Sequence, residues 1–393
     1  MRLHEYQAKR ILSQAGISVP RGQVATSVSE VRQIAEWLGT RVVLKAQVLT
    51  GGRGRGGGIR LAHDAAEAER IASQMFGMEV NGYIASRLLV DEAVDIEQEI
   101  YLAITINGLG NVYHSPAQPA IVTSSRGGFE ISDLAQGEPE GVYVREIDPL
   151  LGLREYQARE LAYEVGLGRE QSRQFVSTAM GLWNVFWGND ATLVEANPLV
   201  VCPNGMLVSL NARMTIDDDA LFRHPNLSDL RDESQETAAE RLARRHGIHY
   251  VRLGGNVGCL SNGAGLAMAT MDALRLRGIR AASFVDVGVG AQAAKVMVGL
   301  RLALNGSVGA VLVNILGGVA RCDEVAAGIL GAYEELDLSI PIVVRLEGMH
   351  KQAAYAALAE IPRQHEHARL YMAESLADAV QQVAALVQPN GGR

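Results

Sequence analysis

The stretch GAVLVNILGGVARCD, residues 309–323, decides how the second half of this chain folds. Its apolar residues run almost unbroken from Val311 to Leu316, the pattern of a strand covered on both faces. Gly317 and Gly318 end the run, and Cys322, Val325, Ala326 and Ile329 then share one face of a helix. Small residues at the start of such a helix leave its first N–H groups free for an anion. SNGAGLAMATMD (261–272) repeats the arrangement. One such turn is often only tight packing, whereas two in one sheet favour an anionic ligand. Working outward, strands IHYVRL, VGCL, ASFVDV and PIVVRLEG alternate with helices that begin near Asn262, Ala291, Ala320 and His350. That alternation predicts a parallel sheet with helices on both faces. The strand ends carry SNGAG, DVGVGA, LGGVARCD and LEGMH, on the side where open α/β sheets bind ligands.

The first half reads differently. Ala8, Ile11, Leu12 and Ala15 have helical spacing, and Gly16 stops that helix. RVVLKAQV (41–48) is a strand, followed by the loop TGGRGRGGG (50–58) and a second strand, IRLA. SRLLVDEAV, QEIYLAITIN and AIVTSS are further strands, with helices in YQARELAYEVGL and RQFVSTAMGLWNVFW. VEANPLVVCPNGMLVSLNARM (194–214) reads as a hairpin turned at Pro203-Asn204-Gly205. Strands and helices do not alternate regularly, so this half is α+β. Residues 226–246 turn polar and read as a linker with some helix.

At 393 residues the chain is too long for a single core. A net charge of −8 gives no electrostatic reason to expect nucleic acid or a membrane surface. Cys202, Cys259 and Cys322 lie scattered in apolar runs, as reduced thiols of a cytoplasmic protein do. No run approaches the roughly 18 apolar residues of a membrane span, and no signal-peptide stretch opens the chain. The expectation is a soluble, cytoplasmic protein.

Several polar groups point to chemistry. Lys45 ends a strand just before the glycine loop, and glycine N–H groups with a nearby lysine can surround phosphate oxygens. No GK[ST] closes the loop, so it is not a Walker A motif, and a mobile surface loop is the plain alternative. Asp91, Glu97 and Glu99 flank QEIYLAI, either as a solvated edge or, with a nucleotide nearby, as groups that hold ribose or adenine. The hairpin offers Glu195 and Asn197 on one arm and Asn211 and Arg213 on the other. The nine histidines show no ligand spacing, and no Ser-His-Asp set stands out, so the chain offers no covalent nucleophile of its own.

Together these motifs resemble one family along nearly the whole chain: the β subunits of NDP-forming acyl-CoA synthetases, with succinate–CoA ligase and its relative malate–CoA ligase. LHEYQAK, VVLKAQV…GGRGRGGG, VDEAVDIEQEIYLA, LVEANPLV, DDALFRHPNLSDLRDESQE, GCLSNGAGLAMATMD, VLVNILGGVARCD and VVRLEG occur in that family's order and spacing. The resemblance implies an ATP-grasp domain over residues 1–225 (small subdomain about 20–95), a linker at 226–246 and a flavodoxin-like CoA-ligase domain over 247–390. It also implies a heteromer whose α subunit carries the CoA site and a phosphorylated histidine. The reaction would join ATP, a carboxylic acid and CoA into acyl-CoA, ADP and phosphate through acyl phosphate and phosphohistidine.

By matching motif, Lys45, Gly52, Arg53 and Gly54 would contact the nucleotide phosphates, and Asp91, Val94 and Glu99 the rest of the nucleotide. Asn197 and Asn211 fall on magnesium positions, and Glu195 on the acid that helps receive the histidine loop. Asn262, Gly318, Val319 and Ala320 match residues that meet the acid substrate. The chain departs from the pattern at Asn211, where the family has Asp, and at Val289 in DVGVGA. It departs again at Met349-His350 after RLEG, and at Arg126, where succinate enzymes usually have Glu and malate-type enzymes tend to carry Arg. The hairpin then reads as a magnesium site of reduced charge. Two readings follow: an active ligase subunit for succinate, malate or another small dicarboxylate, and a catalytically weak paralogue that serves as a nucleotide-binding or regulatory partner.

Overall fold

The computed structural model describes residues 1–107, 118–128, 141–336, 338–365 and 367–387. The chain divides into two compact units, residues 1–235 and 236–393.

The first unit opens with α1 (Glu5–Gln14), β1 (Gly22–Ala25), α2 (Val28–Leu38), β2 (Val42–Ala46), β3 (Ile59–Ala62) and α3 (Ala65–Met75). A two-stranded pair, β4 (Glu79–Val80) and β5 (Tyr83–Ile84), precedes β6 (Leu88–Glu92). Strands β1, β6, β2 and β3 form an antiparallel sheet in that order. Helices α2 and α3 begin at Ser27 and Asp64, whose side chains accept the N–H of Glu30 and Glu67. Their apolar stripes, including Val31, Ala35, Ile71 and Met75, pack on Leu44 and Val90 of the sheet.

The larger sheet uses β7 (Gln98–Asn107), β8 (Gln118–Ser124), β9 (Val142–Glu146), β10 (Ala191–Val201), β11 (Leu207–Ser209) and β12 (Ala212–Ile216). It is backed by α4 (Glu155–Glu164) and α5 (Arg169–Gly188). Along β7, Ile100, Leu102 and Ile104 enter the core against Leu161, Phe175 and Leu182. Period-two alternation therefore turns Glu99, Tyr101 and Ala103 to the opposite face. Glu195 of β10 pairs with Ala103 and shares that face. The expected hairpin is present, with Gly205 at φ 79° in its turn. Its ladder breaks at Asn197 and Pro198, between the Ala196↔Ala212 and Leu199↔Ser209 pairs. A proline cannot donate to a ladder, which explains a break at this point. The short helix α6 (Pro225–Ser228) follows.

The second unit contains α7 (Ala238–Arg245), β13 (His249–Arg252), β14 (Val257–Ser261), α8 (Ala264–Arg275), β15 (Ala281–Asp286) and α9 (Ala293–Ala303). Then come β16 (Ala310–Arg321), α10 (Cys322–Glu335), β17 (Ile342–Met349), α11 (Lys351–Gln364), β18 (Leu370–Met372) and α12 (Leu376–Val387). The sheet order is β13-β15-β14-β16-β17-β18. Val311, Val313 and Ile315 of β16 join one core with α9, α10 and α11, and Leu312 joins the other with α8 and α12.

Two expectations need correction. The sheet is not wholly parallel, because β13 runs antiparallel to β15. The connection from Arg252 to Val257 is far too short for a parallel crossover, which needs about a dozen residues. The Gly317-Gly318 pair also does not end its strand: β16 continues to Arg321, with a register break against β17 between Gly317 and Arg321. Glycine at 348 permits that approach, since a Cβ there would lie 2.5 Å from the Gly317 carbonyl oxygen. Among the described residues no helix is long and apolar enough to cross a membrane.

Candidate functional site

The first unit holds a cleft of about 510 Å³ lined by the glycine loop, by Val43 and Lys45 of β2, and by groups from β10 and the hairpin. The loop folds on itself. The N–H groups of Gly56, Gly57 and Gly58 donate to the carbonyls of Gly52, Gly54 and Arg53. Those three N–H groups are thus taken up within the loop, and its earlier part, with Gly52 at φ 67°, borders the cleft.

Five charged side chains meet at this site, four of them lining the cleft. Helix α1 delivers Glu5 and Lys9 one turn apart, β2 delivers Lys45, the loop delivers Arg53, and β6 delivers Asp91. Glu5 Oε1 lies 3.0 Å from both Lys45 Nζ and Lys9 Nζ, and its Oε2 accepts from Arg53 Nη2 at 2.6 Å. Asp91 Oδ2 accepts from Lys9 at 2.5 Å and lies 2.9 Å from Lys45. Lys45 also donates to the Leu210 carbonyl at 2.6 Å, and Arg53 Nη1 to the Ala46 carbonyl at 3.1 Å. Residue 22 must be small here, because a Cβ on Gly22 would collide with the Asp91 carboxylate.

Burial opposes the charge on Glu5, yet Lys45, Lys9 and Arg53 hold its carboxyl well below the usual range. Burial likewise works against Lys45, but Glu5 and Asp91 raise its ammonium above the ordinary lysine value. Lys9 goes the other way: burial and then repulsion from Lys45 outweigh the pull of its two acids.

At the hairpin the structure brings Glu195, Asn197 and Asn211 to the same cleft. Each amide oxygen already has a donor. Gly128 N–H donates to Asn197 Oδ1 at 2.7 Å, and Arg53 Nη2 to Asn211 Oδ1 at 3.0 Å. Asn211 Nδ2 donates to the Asn197 carbonyl at 3.1 Å, and Asn197 Nδ2 to Glu195 Oε1 at 3.2 Å. The Tyr101 hydroxyl donates to Glu195 Oε2 at 3.4 Å. Magnesium prefers charged oxygen donors, and no group of three or more potential acidic, histidine or cysteine ligands exists among the described residues. A guanidinium bonded to Asn211 Oδ1 further disfavours a divalent cation on that oxygen. This donor set fits an ion carried in by phosphate oxygens, not one resident on the protein.

Asp91 is buried within the charge cluster, so the solvated-edge reading does not hold for it. Val94 and Glu99 are half-buried and line the cleft, and Glu97 is exposed. Arg126 is also exposed, with its backbone N–H on Ser124 Oγ, two residues before the Gly128 that reaches Asn197.

In the second unit, Asn262 is clamped on the backbone of β16. Its Nδ2 donates to the Leu316 carbonyl at 2.8 Å, and its Oδ1 accepts the Leu316 N–H at 2.9 Å. Gly318 is exposed, Ala320 is buried, and the side chain of Val319 lies outside the described residues. Asp286 accepts the N–H groups of Gly263 and Gly288 at 2.6 and 2.8 Å, which fixes the DVGVGA loop against the start of α8. Of the two helix starts expected to face an anion, that of α8 has no acid in its first turn, whereas α10 carries Asp323 and Glu324. Acids there compete for the positive end of the helix dipole. The departures Val289 and Met349 are exposed at 62% and 47%.

Sequence reading missed Glu5 and Lys9 as members of the site. Their only signal was an oppositely charged pair at i and i+4 in LHEYQAK, a spacing that usually means a solvated helix face.

Comparison with known proteins places the chain in a family. Residues 2–201 match the ATP-grasp domain family and residues 260–386 the CoA-ligase family. The chain is 44% identical over 391 residues to the succinate–CoA ligase [ADP-forming] subunit beta of Roseiflexus sp. (strain RS-1), covering 99% of this chain and all of that protein. It is 44% identical over 373 residues to the subunit of the same name from Chlorobium limicola, covering 92% and 94% of the two chains. Among solved structures, ATP citrate lyase from Methanothrix soehngenii shares the fold, with a TM-score of 0.66 at 18% identity over 98% of this chain and 99% of that one. The chain belongs to the family of succinate–CoA ligase [ADP-forming] β subunits.

Proposed function

We propose that this chain is the β subunit of an ADP-forming acid–CoA ligase, working in the cytoplasm with an α subunit that carries the phosphohistidine and the main CoA site. The observation that carries the reading is the cleft whose wall holds Lys45 and Arg53 as fixed, buried cations, in a chain 44% identical end to end to such β subunits. The proposed domains are an ATP-grasp domain over about 1–225 and a CoA-ligase domain over about 247–390. The acid is a small dicarboxylate of the succinate or malate type.

In this reading Lys45 and Arg53, with Gly52 and Gly54 of the loop, take the triphosphate. Val94, Glu99 and the Asp91 end of β6 border the remainder of the nucleotide. Phosphoryl transfer asks the protein mainly to position and neutralise, which fixed cations do. ATP is used as its magnesium complex, and the ion supplies neutralisation of the phosphate oxygens. Asn197 and Asn211 would be its neutral donors, once their present hydrogen bonds are exchanged. Glu195, held by Asn197 and Tyr101, faces the incoming histidine of the α subunit, where a carboxylate can orient the imidazole. In the second unit, the exposed backbone at Gly318 and the start of α8 are the groups offered to the acid's carboxylates, alongside Val319 and Ala320. Asn262 holds the Leu316 end of that segment.

The second reading, a poorly active paralogue, draws on the Arg53–Asn211 contact and on exposed Val289 and Met349. One experiment separates them: the chain is purified alone and together with its α subunit, and thioester formation is measured with ATP, magnesium, CoA and a panel of dicarboxylates. The pair is expected to make acyl-CoA and ADP, and the chain alone none. Thioester from the isolated chain would refute the division of labour, and an inactive pair that still binds ATP would favour the paralogue.

A further inference from the structure

We infer that Glu5 is a positioning residue of the nucleotide site, the buried carboxylate that sets where Lys45 and Arg53 present their charge. The inference rests on the reading of the cleft as a nucleotide site. Its ground is geometric. The Glu5 side chain is 1% exposed, and both of its oxygens are taken by cations: Oε1 by Lys45 and Lys9 at 3.0 Å each, and Oε2 by Arg53 at 2.6 Å.

The two nucleotide-facing cations come from elements of unequal rigidity. Lys45 rises from a strand paired on both sides, whereas Arg53 stands on the glycine loop. Among the described residues, the Arg53 side chain meets, besides Glu5, only the Ala46 carbonyl and Asn211 Oδ1, both neutral acceptors. Glu5 sits on α1, outside the loop, and is, among the described residues, the one carboxylate that ties Arg53 to a regular element. It also fixes Lys45 relative to Arg53, since one carboxylate spans both.

The donor count sharpens the argument. A lysine ammonium has three N–H groups, and Lys45 has three acceptors within 3.0 Å: Glu5, Asp91 and the Leu210 carbonyl. In this arrangement Lys45 acts toward a phosphate chiefly as a nearby charge. Arg53 has five N–H groups and keeps donors beyond its contacts to Glu5, Asn211 and Ala46. Its orientation should therefore set the hydrogen bonding to the triphosphate. Without Glu5, Asp91 would be left to Lys9 and Lys45, Arg53 would keep only neutral acceptors, and like-charge repulsion would displace it as the least anchored of the three.

The test uses the full chain with its α subunit, in the wild type and in Glu5→Asp and Glu5→Gln. Asp keeps the charge but is one methylene short of spanning both cations, and Gln keeps the length but loses the charge. The KM for ATP and the Kd for a non-hydrolysable ATP analogue are expected to rise in the order Glu, Asp, Gln. The rise should be at least tenfold for Gln, with kcat changed less than threefold and the KM for CoA unmoved. A purely structural role would lower the melting temperature while leaving those nucleotide constants alone, and that result overturns the proposal. Tighter ATP binding in Glu5→Gln also overturns it, since Glu5 would then be a competitor for the cations. If Glu5→Gln does not fold, Glu5→Asp decides: a raised KM for ATP at unchanged kcat supports the positioning role, and an unchanged KM removes it. Failure of the wild-type heteromer to bind the analogue would instead overturn the nucleotide-site reading on which the proposal rests.

Discussion

Replacing Asn211 by Asp restores the acid usual in the family, and the structure predicts an unhelpful result. Arg53 Nη2 lies 3.0 Å from Asn211 Oδ1 and 2.6 Å from Glu5 Oε2. A carboxylate at 211 turns the guanidinium–amide hydrogen bond into an ion pair, strengthening the hold on Arg53 by about 1 kcal/mol. The variant also loses the Asn211 Nδ2 donor to the Asn197 carbonyl, which costs a similar amount, so global stability changes little. The nucleotide loses more. Arg53 would then serve two carboxylates, and the triphosphate must compete for it. A deficit of about 1–2 kcal/mol corresponds to a roughly five- to thirtyfold rise in the KM for ATP. The assay is initial-rate phosphorylation of the α subunit by ATP, with magnesium and ATP varied independently in wild type and Asn211→Asp. The expected outcome is a raised KM for ATP and no fall in the magnesium needed for half-maximal rate. A fivefold or greater fall in that magnesium requirement, at unchanged KM for ATP, would sink the reasoning, because the carboxylate at 211 would then serve the ion and not Arg53.

Two further outcomes concern stability. Burial holds the His4 imidazole below its ordinary value of 6.5 despite the Asp232 carboxylate 2.9 Å away. The unfolded chain therefore takes up this proton at a higher pH than the folded one, so the contribution is complete above about pH 6.5 and declines as pH falls. His4→Gln should flatten the decline of melting temperature between about pH 7 and 5.5, and an unchanged slope would exclude His4 as its source. Asp232, held down to about 2 against burial by Ser234, His4 and Arg87, supplies a separate loss only below its unfolded value of 3.8. In the second unit, Gly348→Ala would place a Cβ 2.5 Å from the Gly317 carbonyl and 3.1 Å from that of Ala320. Overpacking of this kind costs about 1–3 kcal/mol, so the melting transition of that unit should fall by roughly 3–10 °C. A shift under a degree would mean that β16 and β17 can separate without penalty.

What could be read in the sequence divides along the range of the interactions. QEIYLAITIN is β7 residue for residue, because alternation and flanking polar groups are local signals. The hairpin turn was likewise legible in Pro-Asn-Gly. The direction of β13 was not, since periodicity shows that a strand exists and is silent on its partner. It lay instead in the four residues that join it to β14, too few for a crossover. GAVLVNIL was correctly a buried strand, but its continuation through two glycines depends on Gly348, a residue thirty positions on. The site shows the same division. Lys45, Arg53, Glu195, Asn197 and Asn211 were named from motifs and do line one cleft. Yet Arg53 on the Asn211 oxygen, and Glu5 beneath both cations, are contacts across 158 and 48 residues that no local pattern encodes.

Stability alone does not account for a set of five charges packed this closely. Taking each ion out of water costs several kcal/mol, and well-packed apolar residues of similar volume are often as stable or more so. What the arrangement supplies is geometry: three cations against two acids, on four separate chain segments, each held within 3.0 Å of a partner. The surplus is one positive charge, and it stands where water is scarce and screening weak. The hairpin side of the same cleft offers Glu195, two amides and Arg213. A triphosphate bound as proposed would meet its strongest partner in the cations. Fixed charge of this kind needs no reorganisation when the nucleotide arrives, which is where it acts on binding. The acids that look like competitors for the phosphate are thus the groups that keep the cations charged, close together and aimed at one place.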